Sequence, residues 1–372
     1  MSARSGIAIV ISDLHGGGAQ QVVRLLAAHW AGQGHRVAVV TLSQPEAGEL
    51  ELDRRVQRIS IGGIGGTSGL VAKVTANARR VFRLRRALRS LQGVTAIGFI
   101  GPTNVLLVLA SVALGYRLII SERNDPARQS FGLIWDWLRR QLYRCADLVT
   151  ANSRGAIETL AAYVPRHKLL YLPNPVRRPA AGRPDQRRPV FLNVGRLHRQ
   201  KGQDLLIEAF ALVAQELKDW QLLILGEGPA RSALAQRIDQ LGLGTRVELA
   251  GRSDPFPWYE TAGVFIFPSR HEGMPNALLE AMLAGLPVVV SDSTAGHREL
   301  VLDGMDGFVV DAENPEALSY AMKRLALDDT LRRRMGAAAA AKAEQYCGQG
   351  AFARWDTAVW PGGGVGSLQP SQ

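Results

Sequence analysis

A strand, loop, helix and strand pattern occurs at the start of the chain and again near its middle. Residues 7–12 (IAIVIS) form an apolar run typical of a buried strand, followed by a glycine loop, an amphipathic helix pattern and GHRVAVVTL. From Pro189 the plan is repeated by VFLNVG, RLHRQKG, a helix pattern and WQLLILGEG. Two such βαβ beginnings predict an α/β fold of two doubly wound, Rossmann-like domains.

Residues 172–190 (LPNPVRRPAAGRPDQRRPV), between the two patterns, are predicted to be an interdomain linker. The segment contains five prolines and no apolar periodicity. We expect the following division: an N-terminal domain over 1–175, a linker over 176–189, a C-terminal domain over 190–345, a helix over 346–360 that returns to the N-terminal domain, and a disordered tail over 361–372.

The positive charge of the chain is concentrated in its first half. Residues 1–180 hold 24 Lys and Arg against 10 Asp and Glu, whereas the remaining residues hold 20 against 23. This imbalance predicts an anionic partner such as a phospholipid surface, a lipid-linked diphosphate or a nucleic acid. A nucleic acid is disfavoured because the arginines lack interleaved aromatic platforms and no nucleic-acid motif occurs.

Two segments of the basic half favour a membrane surface. Residues 73–91 (KVTANARRVFRLRRALRSL) are predicted to form a helix with one apolar side and one arginine-rich side. Such a helix is typical either of a segment that binds an anionic membrane surface or of an ordinary domain helix whose arginines face solvent. Its predicted apolar side comprises Val74, Val81, Leu84, Leu88 and Leu91. Residues 130–144 contain more large apolar side chains than one packing stripe needs, namely Phe131, Ile134, Trp135 and Trp137. The longest apolar run, residues 105–116, is too short to span a bilayer.

The sequence predicts neither a metal nor a disulfide. Cys145 and Cys347 lie in unrelated contexts without a CxxC or a histidine-rich neighbourhood, which fits a reducing, cytoplasmic setting. No Asp-x-Asp triplet occurs, so the usual carboxylate clamp for a catalytic divalent cation is missing.

Two loops carry groups suited to phosphate. Gly16, Gly17 and Gly18 lie between a strand and a helix, where backbone amides can approach an anion, although a tight turn without a ligand fits the pattern equally well. After the strand VFLNVG, Arg196 and Lys201 could neutralise a leaving diphosphate; the alternative is two solvated surface cations.

The stretch HEGMPNALLEAMLAGLPVVV places Glu272 in a loop and Glu280 inside a predicted helix that begins near Pro275 or Asn276. Amides at that helix start bind phosphate, whereas carboxylates repel it, so the glutamates are expected to bind hydroxyl groups. Phosphate and hydroxyls together describe a nucleotide sugar. Because the helix pattern around Glu280 is mostly apolar, its carboxylate needs partners unless it faces solvent.

Together, NVGRLHRQKGQDLLIEAF, LPNPV, FPSRHEG, the E-x7-E pair and the N-terminal glycine loop resemble glycosyltransferase family 4, retaining enzymes of GT-B fold whose two domains face each other across a cleft. The resemblance implies that Glu280 holds the nucleotide ribose and that Glu272 contacts the donor sugar. It also implies that Arg196 and Lys201 grip the diphosphate. The remaining predicted donor-binding residues are Gly17, Gly18, Gly273, Met274, Pro275 and Asn276.

The stretch LIISERNDP resembles a subgroup that acts on lipid-linked oligosaccharide or exopolysaccharide intermediates. It makes Glu122 and Arg123 acceptor-side candidates, because an arginine could meet an acceptor phosphate. Many family members carry a histidine near this point, and its absence puts that sugar contact in doubt. Helix capping by Ser121 and Asn124 is an equally good interpretation.

The predicted protein is therefore a retaining glycosyltransferase that moves a hexose or N-acetylhexosamine from a UDP- or GDP-linked donor to a lipid-linked saccharide. No metal or other cofactor is expected, and no nucleophile can be singled out. We expect a peripheral position on the inner face of the cell membrane. The alternatives are a soluble acceptor, a GT-B nucleotide-sugar epimerase or phosphorylase, and an inert sugar-nucleotide binder.

Overall fold

The computed structural model describes residues 6–62, 69–179, 187–293 and 295–361. The chain divides into two compact units. The first comprises Met1–Asn152, Ile157–Pro175 and Gly348–Gln372, and the second comprises Ser153–Ala156 and Val176–Cys347. Half of the predicted linker, residues 180–186, and the predicted tail beyond Pro361 lie outside the described residues.

The first unit contains a seven-stranded parallel sheet with strand order β3-β2-β1-β4-β5-β6-β7. The strands are β1 (Gly6–Ile11), β2 (Arg36–Thr41), β3 (Gln57–Ser60), β4 (Val94–Phe99), β5 (Leu118–Glu122), β6 (Leu148–Ala151) and β7 (Leu169–Tyr171). The helices before residue 165 are α1 (Gly18–Gly32), α2 (Leu70–Leu91), α3 (Gly101–Ser111), α4 (Leu133–Leu142) and α5 (Arg154–Ala161). All six residues of β1 are buried, as expected for a central strand covered on both faces.

The second unit contains a six-stranded parallel sheet with strand order β10-β9-β8-β11-β12-β13. Its strands are β8 (Val190–Val194), β9 (Gln221–Leu225), β10 (Val247–Gly251), β11 (Val264–Phe267), β12 (Val288–Asp292) and β13 (Gly307–Asp311). Its helices are α6 (Gln203–Val213), α7 (Arg231–Gln240), α8 (Phe256–Thr261), α9 (Asn276–Leu283), α10 (Ala295–Leu300), α11 (Pro315–Leu327) and α12 (Asp329–Ala343). The two parallel sheets confirm the predicted α/β class with two doubly wound domains.

Helix α13 (Gly348–Val359) packs into the core of the first unit. Trp355 is fully buried, stacks on Phe99 at 6.0 Å between ring centroids, and donates its indole N–H to the Pro173 carbonyl over 3.1 Å. Asp356 accepts a 2.7 Å hydrogen bond from the Trp30 indole of α1. The C-terminal helix therefore completes a core whose other members come from the first 172 residues.

The surface of α2 corrects one detail of the predicted amphipathic helix. Leu84 and Leu88 are buried, but Val74 is 61% exposed. Val74 lies in the first turns of α2, where among the described side chains only Ala76 is buried. Phe82, absent from the predicted apolar side, is 68% exposed.

Replacing Trp355 by Ala should lower the free energy of unfolding of the first unit by about 3–5 kcal/mol, because it removes a buried indole and leaves a cavity. Chemical denaturation followed by near-ultraviolet circular dichroism would measure this loss. The matched control is Trp137→Ala, which truncates a tryptophan that is 60% exposed and should change stability by less than about 0.5 kcal/mol. Equal stability of the two variants would contradict the anchoring role of Trp355.

Candidate functional site

Two loops of the second unit are joined at the carboxyl ends of β8 and β11, which are neighbours in the sheet. The Arg270 amide donates to the Gln200 carbonyl over 2.7 Å, and the Gln200 side chain donates to the His271 carbonyl over 2.8 Å. Backbone and side chain therefore both fix the loop after β8 to the loop after β11. Strand carboxyl ends are where doubly wound sheets bind ligands.

Gly202 allows this close approach. Its φ of +68° lies in the left-handed region, and a Cβ atom there would lie 2.1 Å from the Pro268 carbonyl oxygen. Any larger residue would push the two loops apart. The glycine thus sets the distance across which the side chains of the two loops meet.

Lys201 and Glu272 form an ion pair across these loops. The Lys201 Nζ and the Glu272 Oε1 are 2.5 Å apart, and both side chains are largely buried. The Lys201 Nζ also lies 5.7 Å from the centre of the Phe267 ring. A cation is therefore held at the strand ends with a carboxylate beside it.

Arg196 adds a second cation. Its side chain is exposed and has no hydrogen-bond partner among the residues that the structure describes.

Burial, together with the charges of Arg196, His271 and Lys201, holds the pKa of His198 below its usual value. His198 is therefore neutral near pH 7, and its Nδ1 accepts from the Gln200 amide over 3.2 Å.

Helix α9 begins at Asn276, with Pro275 as the preceding residue, so its N-terminus follows the loop that carries Glu272. Four predicted donor-binding residues surround this start and are buried: Gly273, Met274, Pro275 and Asn276. One turn later, Glu280 is partly buried and accepts a 3.3 Å hydrogen bond from the Tyr259 hydroxyl. Burial and the Glu280 charge raise the pKa of Tyr259 well above its usual value. Glu280 is thus a partnered carboxylate and does not simply face solvent.

Gly17 and Gly18 lie in the first unit, at the start of α1. Gly17 has an extended backbone and provides no side-chain cap to the helix. The Asp13 Oδ1 shapes the loop by accepting hydrogen bonds from the His15 amide at 3.0 Å and the Gln20 side chain at 3.1 Å.

The two acceptor-side candidates, Glu122 and Arg123, are interior residues of the first unit. Glu122 accepts a 3.1 Å hydrogen bond from the Tyr143 hydroxyl, and burial raises its pKa. The Arg123 guanidinium lies 4.8 Å from the Trp355 ring and donates to four protein oxygens: those of Ser121, Thr150, Leu172 (carbonyl) and Asn174. These contacts favour a structural role for Arg123 and leave its acceptor role without support.

The structure adds two residues to the site that the sequence patterns did not identify. Tyr259 bonds Glu280 from 21 positions away in the chain, and no local signal marks that contact. Arg270 bridges two carboxylates from the loop after β11. The signals for Arg270 were its place in FPSRHEG and its charge three positions after a buried strand.

Two protein-family models match this chain. The model "Glycosyl transferase 4-like domain" matches residues 17–175, and the model "Glycosyl transferases group 1" matches residues 188–328. The chain belongs to the glycosyltransferases. This membership confirms both the resemblance expected from the motifs and the expected transferase class.

Relatives of this glycosyltransferase include two proteins of Campylobacter jejuni. It is 31% identical to the N-acetylgalactosamine-N,N'-diacetylbacillosaminyl-diphospho-undecaprenol 4-alpha-N-acetylgalactosaminyltransferase, over 62% of this chain and 66% of that protein, just under two thirds of its length. It is 26% identical to the GalNAc-alpha-(1->4)-GalNAc-alpha-(1->3)-diNAcBac-PP-undecaprenol alpha-1,4-N-acetyl-D-galactosaminyltransferase, over 88% of this chain and 91% of that protein.

Solved structures confirm the GT-B fold. Sucrose-phosphate synthase from Thermosynechococcus elongatus superposes with a TM-score of 0.82 at 19% identity, covering 95% of this chain and 98% of that chain. HepE from Anabaena, in complex with UDP and glucose, superposes with a TM-score of 0.78 at 19% identity, with the same coverage.

Replacing Glu272 by Gln should raise the affinity for inorganic pyrophosphate by about 3- to 10-fold, because it removes the carboxylate that competes with phosphate for Lys201. Isothermal titration calorimetry without added metal would measure this change. Glu248→Gln, which alters an exposed glutamate of β10, is the matched control and should bind like the wild type. Weaker or unchanged binding by Glu272→Gln would contradict the idea that the pair guards a phosphate site.

Proposed function

We propose that this glycosyltransferase moves a hexose or N-acetylhexosamine from a UDP- or GDP-linked donor to a lipid-linked oligosaccharide or polysaccharide intermediate. The observation that carries the proposal is the Lys201–Glu272 pair at the carboxyl ends of β8 and β11, next to the start of α9. Cations and a helix N-terminus suit a diphosphate, and the adjacent carboxylates suit hydroxyl groups.

Each side chain then has one task in the transfer. Lys201 and Arg196 stabilise the negative charge that grows on the diphosphate as the bond to the sugar breaks. Glu280, oriented by Tyr259, accepts hydrogen bonds from the ribose hydroxyls, and Glu272 accepts them from the sugar. Because the two cations supply the charge stabilisation, this proposal requires no metal ion.

The sugar is transferred with retention of configuration in this proposal. The acceptor hydroxyl attacks the anomeric carbon from the face that the diphosphate leaves, and the departing phosphate oxygen takes its proton. No protein nucleophile is needed, so no residue is assigned that role.

The lipid-linked acceptor is proposed from the relatives and from the charge of the chain. Both Campylobacter jejuni relatives are named for undecaprenol-linked saccharides. The excess of Lys and Arg in residues 1–180 suits an acceptor that carries a diphosphate at a membrane.

Two helices of the first unit present groups suited to an anionic membrane surface. Helices α2 and α4 both pack against α3. At the start of α4, Leu133 is 92% exposed and Trp137 is 60% exposed. The exposed arginines of the two helices are Arg79, Arg83, Arg86, Arg89 and Arg140. We propose that the apolar start of α4 enters the interface of the inner leaflet while these arginines meet lipid headgroups.

No helix within the described ranges is long and apolar enough to cross a bilayer.

Donor binding is tested by thermal stabilisation with a panel of UDP-, GDP-, ADP- and TDP-sugars in EDTA. A bound donor should raise the melting temperature. Glu280→Ala should lower the affinity for that donor by about 10- to 100-fold, because the ribose hydroxyls lose the carboxylate that accepts their hydrogen bonds. Glu248→Ala is the matched control and should keep wild-type affinity. If none of these nucleotide sugars raised the melting temperature of the wild type, the proposed donor site would be refuted.

Membrane binding is tested by sedimentation with vesicles of phosphatidylglycerol and phosphatidylcholine. Removing three cations with Arg79→Gln, Arg86→Gln and Arg89→Gln should weaken binding by about 100-fold, at roughly 1 kcal/mol for each arginine near the surface. Leu133→Ser with Trp137→Ser should weaken it at every salt concentration, since that contribution is apolar. Leu327→Ser, at an exposed leucine of the second unit, is the control. If the triple arginine variant and the Leu133→Ser, Trp137→Ser double variant both bound vesicles as tightly as the wild type, the proposed membrane surface would be contradicted.

A further inference from the structure

Arg270 is the most heavily bonded cation among the described residues next to the candidate site. Its Nη1 and Nη2 atoms each donate over 2.8 Å to one oxygen of Asp204. Its Nε and Nη2 atoms donate over 2.5 and 3.0 Å to the two oxygens of Glu313. The Nη1 atom also donates to the Arg199 carbonyl. One planar guanidinium thus holds two carboxylates in bidentate contacts.

These contacts join three separate parts of the second unit. Arg270 lies in the loop after β11, Asp204 is the second residue of α6, and Glu313 follows β13. The residues after Arg270 in its loop carry the site: the His271 carbonyl accepts from Gln200, and Glu272 pairs with Lys201. Arg270 is therefore the fixed point from which the loop extends to the Lys201–Glu272 pair.

Burial separates this cluster from an ordinary surface ion pair. The Arg270 side chain is only 15% exposed, although its two partners are about half exposed. Exposed pairs between flexible side chains contribute little because both groups lose rotamer freedom and are solvated. Here the arginine side chain is already confined by packing. One edge of its guanidinium donates to Asp204 and another edge donates to Glu313.

Glu313 is held in an unfavourable backbone conformation. Its φ is +58°, a left-handed value that glycine or asparagine adopts more easily than glutamate. A residue strained in this way persists only where its surroundings determine it, and strained positions cluster at functional sites. The side-chain contact that Glu313 makes is its bidentate pair with Arg270.

We propose that Arg270, clamped by Asp204 and Glu313, is a positioning residue that holds the loop over residues 268–275 where Glu272 and Lys201 can engage the donor. Arg270 touches no reacting atom in this proposal and acts through Glu272. The inference rests on the proposed function, because the ligand that the loop is positioned for is the nucleotide sugar.

Glu313→Asn separates positioning from simple stabilisation. Asparagine tolerates the left-handed backbone, so the relieved strain should offset the lost pairing and keep the melting temperature near that of the wild type, although the bidentate pair cannot form. If Arg270 positions the loop, the KM for the donor should rise by about 3- to 10-fold while kcat changes little. If the Arg270 cluster only stabilised the fold, the Glu313→Asn variant should show wild-type kinetics as long as its melting temperature is unchanged.

Arg270→Met and Arg270→Lys test the clamp directly. The Met variant loses every contact of the guanidinium and should lower kcat/KM by about 100-fold, as expected for misplacement of a donor contact by about 1 Å. Lysine can satisfy one carboxylate but not both bidentately, so it should recover part of that loss. The matched control is Glu208→Gln, which removes the pairing of Arg237 with Glu208, a bidentate contact elsewhere in the second unit, and should keep wild-type kinetics.

Hydrogen exchange of residues 268–275, measured without ligand in the same variants, makes the inference independent of activity. Faster exchange in Arg270→Met and Glu313→Asn, with unchanged exchange in Glu208→Gln, is expected. Wild-type exchange in Arg270→Met, or a wild-type donor KM in both Arg270→Met and Glu313→Asn, would overturn the clamp. A third outcome separates the two proposals: the wild type binds no donor, yet exchange is faster in the variants. That result would refute the proposed function and the donor role of Arg270, but it would still show that Arg270 holds the loop.

Discussion

Parallel strands covered on both faces are the constraint on which the rest of this molecule depends. In such a sheet the strand interiors are mostly apolar, because a polar side chain there is buried and needs a hydrogen-bond partner. Within the sheet, charged groups can therefore collect only where strands end. Lys201, Glu272 and Arg270 all follow this rule, since each lies in a loop at the carboxyl end of β8 or β11.

The same constraint explains why the site needs internal counter-ions. Bringing several cations together at two adjacent strand ends is costly unless carboxylates accompany them. Glu272 accompanies Lys201, while Asp204 and Glu313 accompany Arg270. The two pairings differ in what a phosphate ligand would meet: Lys201 has one carboxylate to exchange for phosphate, whereas Arg270 is saturated by two.

Local chemistry made much of the site predictable from the sequence. The apolar runs of β1 and β8 and the proline before α9 each act through neighbouring residues or through burial on both faces. Of the residues grouped by motif around the second unit's loops, Lys201 and Glu272 are in contact. The pairing of Lys201 with Glu272, however, needed the structure, because 71 positions separate them in the chain.

Contacts between distant positions account for what the sequence could not predict. Arg123 follows a strand as an acceptor-site arginine would, yet its guanidinium turns inward to the ring of Trp355, more than two hundred positions away. Val74 fits the apolar side of a helix but lies where little covers that side. Periodicity states which residues can share a face and does not state whether another element covers it.

Arg123 and Arg270 show how similar sequence positions acquire different roles. Both follow a buried strand of a parallel sheet, and both use nearly every donor of the guanidinium. Arg123 is enclosed by neutral oxygens and aromatic rings, so its contacts stabilise the core that receives α13. Arg270 is enclosed by carboxylates from two other segments, and the residue two positions later belongs to the Lys201–Glu272 pair. A strand-end arginine therefore serves the core or the site according to which segments supply its acceptors.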